Sequence, residues 1–104
     1  MGPIELFKDA TLAGPQADIE LPVDAMGAVL HVADATGPCT VQLQRWDRGE
    51  WRTVEGAQVR GSASRSQPFA IAAGKVRAYV LGDDIAVHGA WLLNVDTPTS
   101  SHAV

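Results

Sequence analysis

The sequence predicts an all-β protein: a single-domain antiparallel β-sandwich or β-barrel of about 7–9 short strands. Three observations lead to this expectation. Apolar and polar residues alternate with a period of two in several segments. Glycine, proline and aspartate turn signals separate these segments at intervals of about 8–12 residues. The composition, with 16 Ala and 11 Val against 4 Ile and 6 % aromatic residues, is typical of short strands around a thin core.

The clearest local element is a β-hairpin in the middle of the chain. Residues 40–44 alternate strictly, with Val41 and Leu43 on one face. Residues 51–54 resume the strand pattern after the connection Asp47-Arg48-Gly49-Glu50, in which the glycine can adopt positive φ. We therefore predict two antiparallel strands joined by a four-residue connection.

Two further strands are well marked near the C-terminal end. Residues 76–81 follow an Ala-Gly turn, and residues 85–95 form a long final strand that is apolar on both faces. We expect this final strand to lie inside a sheet, with Trp91 in the core. Residues 24–34 are the best helical window, but their Val and Leu content fits a strand as well. Weaker strand candidates are 4–8, 17–21, 28–33, 57–60 and 68–72.

A chain of 104 residues has the size of one domain. We expect that domain to span residues 1–96, with residues 1–22 as a candidate N-terminal arm. Residues 97–104 are expected to form a C-terminal tail, because they contain almost nothing to bury.

The cellular compartment is constrained by what the sequence lacks. Cys39 is the only cysteine, so an intramolecular disulfide cannot form. The N-terminus has no apolar run of the kind found in signal peptides. The longest nearly uncharged stretch is far shorter than the ~20 residues that a membrane helix requires. We expect synthesis in a cytoplasm and no membrane partner.

Charge is distributed unevenly along the chain. Residues 1–38 carry one lysine and six acids, a net charge of −5, whereas residues 39–77 carry seven basic residues and three acids, a net charge of +4. The remainder carries −3, and the whole chain −4. Two interpretations stay open: solvated strand faces, or an acidic N-terminal segment that meets the basic middle within one molecule or on a neighbouring copy. The negative net charge argues against a nucleic-acid partner.

Tryptophan and arginine cluster around the hairpin. They suggest three uses: a cross-strand tryptophan pair that stabilises the hairpin, a protein-contact surface, or a platform for a carbohydrate. The candidate protein-contact residues are Trp46, Arg48, Trp51, Arg52 and Arg65.

The sequence does not assemble a recognisable reaction centre. We expect no catalytic residues, no cofactor and no metal site. His31 and His88 lie within apolar strands without a nearby cluster of further ligands. Gly82-Asp83-Asp84 is expected to form a β-turn, and Cys39 to be an inert thiol, because no dedicated base lies close to it in sequence.

The hairpin and the strand that follows it resemble small virion proteins of tailed phages and prophages. The resemblance covers residues 40–95 and rests on the segments VQLQRWDRGEWRTV and GKVRAYV, followed by an Ala/Val-rich last strand. Several proteins of that kind decorate capsids as cement subunits. This sequence departs from their pattern at Arg48-Gly49-Glu50, where an acidic-Gly-Gly turn is usual.

The resemblance implies a non-enzymatic virion structural protein, a capsid decoration or cement subunit. The implied partners are the major capsid protein and further copies of this chain, with a homotrimer as the candidate assembly. The implied location is the capsid surface of the virion, after synthesis in the host cytoplasm. Two alternatives stay open: a carbohydrate- or host-surface-binding β-sandwich module, and a head or tail completion protein.

Overall fold

The computed structural model describes residues 4–33, 39–60, 65–82 and 87–95, which form nine strands and no helix. The strands are β1 (Ile4–Ala10), β2 (Gly14–Pro15), β3 (Ile19–Leu21), β4 (Ala25–Ala33), β5 (Thr40–Asp47), β6 (Glu50–Arg60), β7 (Phe69–Ile71), β8 (Gly74–Leu81) and β9 (Val87–Leu93). The window considered for a helix is therefore strand β4.

The strands form two antiparallel sheets. One sheet has four strands in the order β1-β9-β4-β7. The other has five strands: β2-β8-β5-β6 in sequence across the sheet, with β3 also paired to β8. The two sheets enclose one apolar core in a sandwich-like arrangement. The predicted all-β, single-domain antiparallel fold is confirmed, and the β-sandwich fits it.

The core consists mainly of small and medium aliphatic side chains. Leu30 and Leu92 contribute from the four-stranded sheet, and Leu43 and Val76 contribute from the five-stranded sheet; all four are fully buried. Among the described residues, no polar or charged residue is buried. The inner faces are thus apolar throughout, and any polar chemistry lies on the outer faces and edges of the sandwich.

The N-terminal segment takes part in both sheets. β1 pairs with β9 from Ile4↔Leu92 to Ala10↔Val87. β2 and β3 both pair with β8. Residues 4–21 therefore belong to the sandwich and do not extend from it as an arm. The expected tail at 97–104 lies outside the described residues.

The hairpin differs from the prediction in its connection and in its length. Asp47 pairs with Glu50, so the loop contains two residues, Arg48 and Gly49, instead of four. Both have positive φ, 52° and 85°, as a type I′ turn requires. Residues 57–60, expected as a separate strand, continue β6 beyond a bulge. The turn is tighter than predicted because arginine, although uncommon there, adopts the left-handed conformation.

The final strand lies inside its sheet as predicted, between β1 and β4, and Val87 is buried as predicted, but the faces are reversed around Trp91. Ala90 and Leu92 point into the core, whereas Trp91 is only half-buried on the outer face. The placement of Trp91 in the core was wrong. Both faces of this strand are apolar, so alternation alone could not identify the inner one. Asn94, at φ 61°, then interrupts the alternation and is followed by the buried Val95.

Candidate interaction surfaces

The first surface is the hairpin tip, which we define as residues 46–52. Trp46 and Trp51 lie directly opposite each other in the strand register. Their ring centroids are 5.3 Å apart, and the ring planes meet at 68° in an edge-to-face contact. Trp46 nevertheless remains 42 % exposed. The pair is therefore a cross-strand contact that leaves one indole open to solvent.

Ion pairs order the charged side chains of the hairpin tip. Arg52 Nη2 donates to Glu50 Oε2 at 2.6 Å, and Arg52 Nε lies 3.4 Å from Asp47 Oδ2. Arg45 Nη1 lies 3.8 Å from Asp47 Oδ1. Arg52 pairs with Arg45, one position along from the tryptophan pair, so this arginine between two carboxylates lies on the opposite face of the hairpin from Trp46 and Trp51. Arg48 occupies the turn itself.

The second surface is the Arg77 face, the outer face of the five-stranded sheet around Gln44, Trp51, Arg77 and Tyr79. The Arg77 guanidinium lies 4.2 Å from the centroid of the Trp51 ring and 5.9 Å from that of Tyr79. Arg77 Nε also donates to Gln44 Oε1 at 2.7 Å. Because the guanidinium covers Trp51 and the tryptophan rings are inclined, Trp46 and Trp51 do not form one flat platform for a sugar.

The third surface is the Trp91 face, the outer face of the four-stranded sheet. Pairing places Glu5 opposite Trp91, Trp91 opposite His31, and His31 opposite Arg65, in one row across the sheet. Directly opposite residues of antiparallel strands share a face. The Trp91 and His31 rings are 5.9 Å apart. His31 Nδ1 is inaccessible to solvent and has no hydrogen-bond partner in the described part of the chain.

Aliphatic residues extend the Trp91 face along the strands. Val29 lies opposite Leu93, and Ala33 lies opposite Gly89. The Trp91 ring lies over Gly89, since a Cβ added to that glycine would come within 2.7 Å of Trp91 Cη2. All of these positions except Gly89 are only half-buried. The centre of the face is therefore apolar, with Glu5 and Lys8 at one edge and Arg65 at the other.

The structure brings four of the five sequence-predicted contact residues together. Trp46, Arg48, Trp51 and Arg52 form the hairpin tip. Arg65 lies on the Trp91 face, paired with His31 on the other sheet. Sequence reasoning missed Arg77, although strict alternation in residues 74–81 places it on the outer face beside the hairpin.

Little in the described residues supports metal or thiol chemistry. Within the described ranges, no three His, Cys, Asp or Glu side chains form a cluster that could hold a metal ion. Cys39 is free and buried in the core. His31 pairs with Trp91, while Asp83 and Asp84, predicted to form a turn, lie outside the described residues.

Acidic and basic segments meet within the molecule at one point that the structure describes. Lys75 Nζ lies 3.7 Å from Asp18 Oδ2, and both side chains are about half exposed. One such exposed pair contributes little to stability.

The described part of the chain has no helix long and apolar enough to cross a membrane. In comparison with known proteins, the chain matches no protein-family model, no curated protein and no solved structure.

Proposed function

We propose that the protein is a non-enzymatic virion structural protein, a capsid decoration or cement subunit that docks on the major capsid protein through the hairpin tip. The proposal rests on the resemblance of residues 40–95 to small phage virion proteins, and on the exposed tryptophan and the arginines of the hairpin tip. Its location would be the outer surface of the capsid.

The observation that carries the proposal is the exposed Trp46 at the hairpin tip, with the ion-paired Arg52 on the opposite face of the same tip. Tryptophan and arginine are the side chains most enriched among residues that dominate binding energy at protein interfaces. Arg52 is already held by Asp47 and Glu50, so little conformational freedom is lost on docking. Pairing of β5 with β8 ends at Arg45, whereas pairing with β6 continues to Asp47. The tip thus lies beyond the last residue of β5 that pairs with β8.

The thin aliphatic core also favours association. Small domains bury a limited fraction of their surface, and binding to a larger assembly adds stability by mass action. A decoration subunit gains stability from the capsid, and the capsid gains stability from the subunit.

Co-sedimentation with capsids tests the proposal. Capsids are purified from the phage or prophage whose genome encodes the chain, and are mixed with the protein at increasing concentration. We expect saturable binding and a higher temperature of capsid disruption. Trp46→Ala is expected to weaken binding about 30-fold, as for an interface residue contributing about 2 kcal/mol.

Met26→Ala is the matched control, because Met26 is 85 % exposed on the other sheet. It should bind as tightly as the unmodified protein, and both variants should unfold cooperatively. Failure to co-sediment, or equal weakening by both substitutions, would contradict the proposal. Binding at the neck or tail, located by electron microscopy, would instead support a completion protein.

The carbohydrate alternative makes a different prediction. A glycan that stacks on Trp46 would change tryptophan fluorescence saturably, whereas a cement subunit would show no such response to glycans. The inclined rings and the covered Trp51 face make the hairpin a poorer sugar platform than the sequence indicated.

A further inference from the structure

We infer that the Trp91 face is a self-association surface, on which a second copy of this chain packs face to face about a two-fold axis parallel to the strands. The inference concerns a different surface from the hairpin tip. It is measured on the protein alone, so it can fail or succeed independently of capsid docking.

The first argument is the chemistry of the face. Its centre combines Trp91 and His31 with the apolar pairs Val29–Leu93 and Ala33–Gly89, all on the outside of the sheet. The indole fills the space above Gly89. An apolar outer face of this kind suits a second sheet stacked about 10 Å away. Apolar centres with charged rims are the usual composition of interfaces between identical subunits.

The second argument is the order of charges across the row. Glu5 and Arg65 stand at opposite ends, with Trp91 and His31 between them. A two-fold axis along the strands, through the middle of the row, places Glu5 of each copy over Arg65 of the other. It also places each Trp91 over the other copy's His31. Lys8, opposite Gly89, is a second exposed charge at the Glu5 edge. An axis along the row and through its residues would place Glu5 over Glu5, so the two Glu5–Arg65 contacts favour the first arrangement.

The area of the face sets the expected affinity. Strands β1, β9, β4 and β7 contain 7, 7, 9 and 3 residues. At about 3.3 Å per residue and about 4.8 Å between strands they cover roughly 410 Å², or about 800 Å² of surface buried from both copies together. Interfaces of this size are weak or transient. The expected dissociation constant is therefore on the order of 10–100 μM.

Sedimentation equilibrium of the full chain, from about 5 μM to 1 mM, is the first test. Mass should rise from monomer to dimer. Glu5→Arg or Arg65→Glu should each raise the dissociation constant about tenfold, because two rim contacts per dimer become repulsive. The combination E5R/R65E should restore it to within about twofold of the unmodified protein.

The matched controls are Glu55→Arg and Arg60→Glu, which make the same charge changes at exposed positions of β6. They should leave the dissociation constant unchanged. Methyl NMR gives an independent readout: signals of Val29 and Leu93 should shift with concentration, while those of Val54 on β6 should not.

Four results would overturn the inference. They are a monomer throughout the concentration range, a trimeric mass, no recovery in the double variant, and concentration-dependent shifts at Val54 in place of Val29 and Leu93.

Discussion

The two outer faces of the sandwich differ in whether their polar and aromatic side chains have partners within the molecule. On the Arg77 face the groups partner one another: the guanidinium stacks on Trp51 and donates to Gln44. On the Trp91 face an indole covers a glycine, and the neighbouring His31 keeps a shielded nitrogen without a partner among the described residues. The polar and aromatic groups of the Arg77 face already have partners within one molecule. The apolar centre of the Trp91 face is the kind of surface that another protein molecule stabilises by covering it.

The largest expected effect is at Gly89, because the Trp91 ring occupies the space that a side chain at position 89 would need. Gly89→Ala would place a Cβ 2.7 Å from Trp91 Cη2 and 3.2 Å from the Phe7 carbonyl oxygen. The indole must move, and the backbone contact cannot yield easily. We expect a loss of about 1–3 kcal/mol in the free energy of unfolding, measured by urea denaturation.

Gly27→Ala is the control for this prediction, because nothing lies within 4 Å of the Cβ it would add. It should change stability by less than about 0.5 kcal/mol. Adding Trp91→Ala to Gly89→Ala should recover part of the loss, since the ring contact is then removed. Equal effects at the two glycines would show that the indole does not rest on Gly89.

The next largest expected effect is the interaction energy between Arg77 and Trp51 on the Arg77 face. A double-mutant cycle of Arg77→Ala and Trp51→Ala should give a coupling of about 0.5–1 kcal/mol, the usual value for an arginine stacked on an indole near the surface. The control cycle pairs Trp51 with Arg60, at the far end of β6, and should give a coupling near zero. A coupling near zero for Arg77 as well would mean that the stacking contributes no stability.

These two faces also show what the sequence could and could not predict. Alternation in residues 40–44 placed Val41 and Leu43 in the core correctly, because the intervening glutamines make the outer face unambiguous. The same rule failed for Trp91, because β9 is apolar on both faces and lies between two other strands. Periodicity identifies a buried strand, but it cannot choose between two apolar faces.

The sequence predicted the contact between Trp46 and Trp51 in the hairpin tip because these residues are close together in the chain. Trp46 and Trp51 face each other because a two-residue turn fixes their register. Arg65 was grouped with them by composition, yet its partner is His31, more than thirty residues earlier in the chain. Which strands become neighbours depends on packing of the whole chain, so a local pattern could not separate the hairpin tip from the Trp91 face.

A smaller effect is expected at the turn that builds the hairpin tip. Arg48 adopts φ 52°, a conformation that asparagine accepts more readily than arginine. Arg48→Asn should therefore raise the free energy of unfolding by about 0.5–1 kcal/mol, measured by thermal or urea unfolding. Arg60→Asn, the same change within a strand, should lower it slightly. A loss at position 48 would contradict the type I′ assignment.

The smallest expected effect separates stability from binding at the hairpin tip. Arg52 forms ion pairs with Asp47 and Glu50, but the three side chains are 57 %, 38 % and 60 % exposed. Water and salt screen such pairs, so Arg52→Gln should change the free energy of unfolding by less than about 0.5 kcal/mol. Arg77→Gln, which also removes the contact with Trp51, should cost more than Arg52→Gln in the same urea titration. If Arg52→Gln leaves stability intact and still weakens capsid co-sedimentation, the arginine acts at the interface and not in the fold. A stability loss as large as that of Arg77→Gln would instead make the hairpin tip a structural element like the Arg77 face.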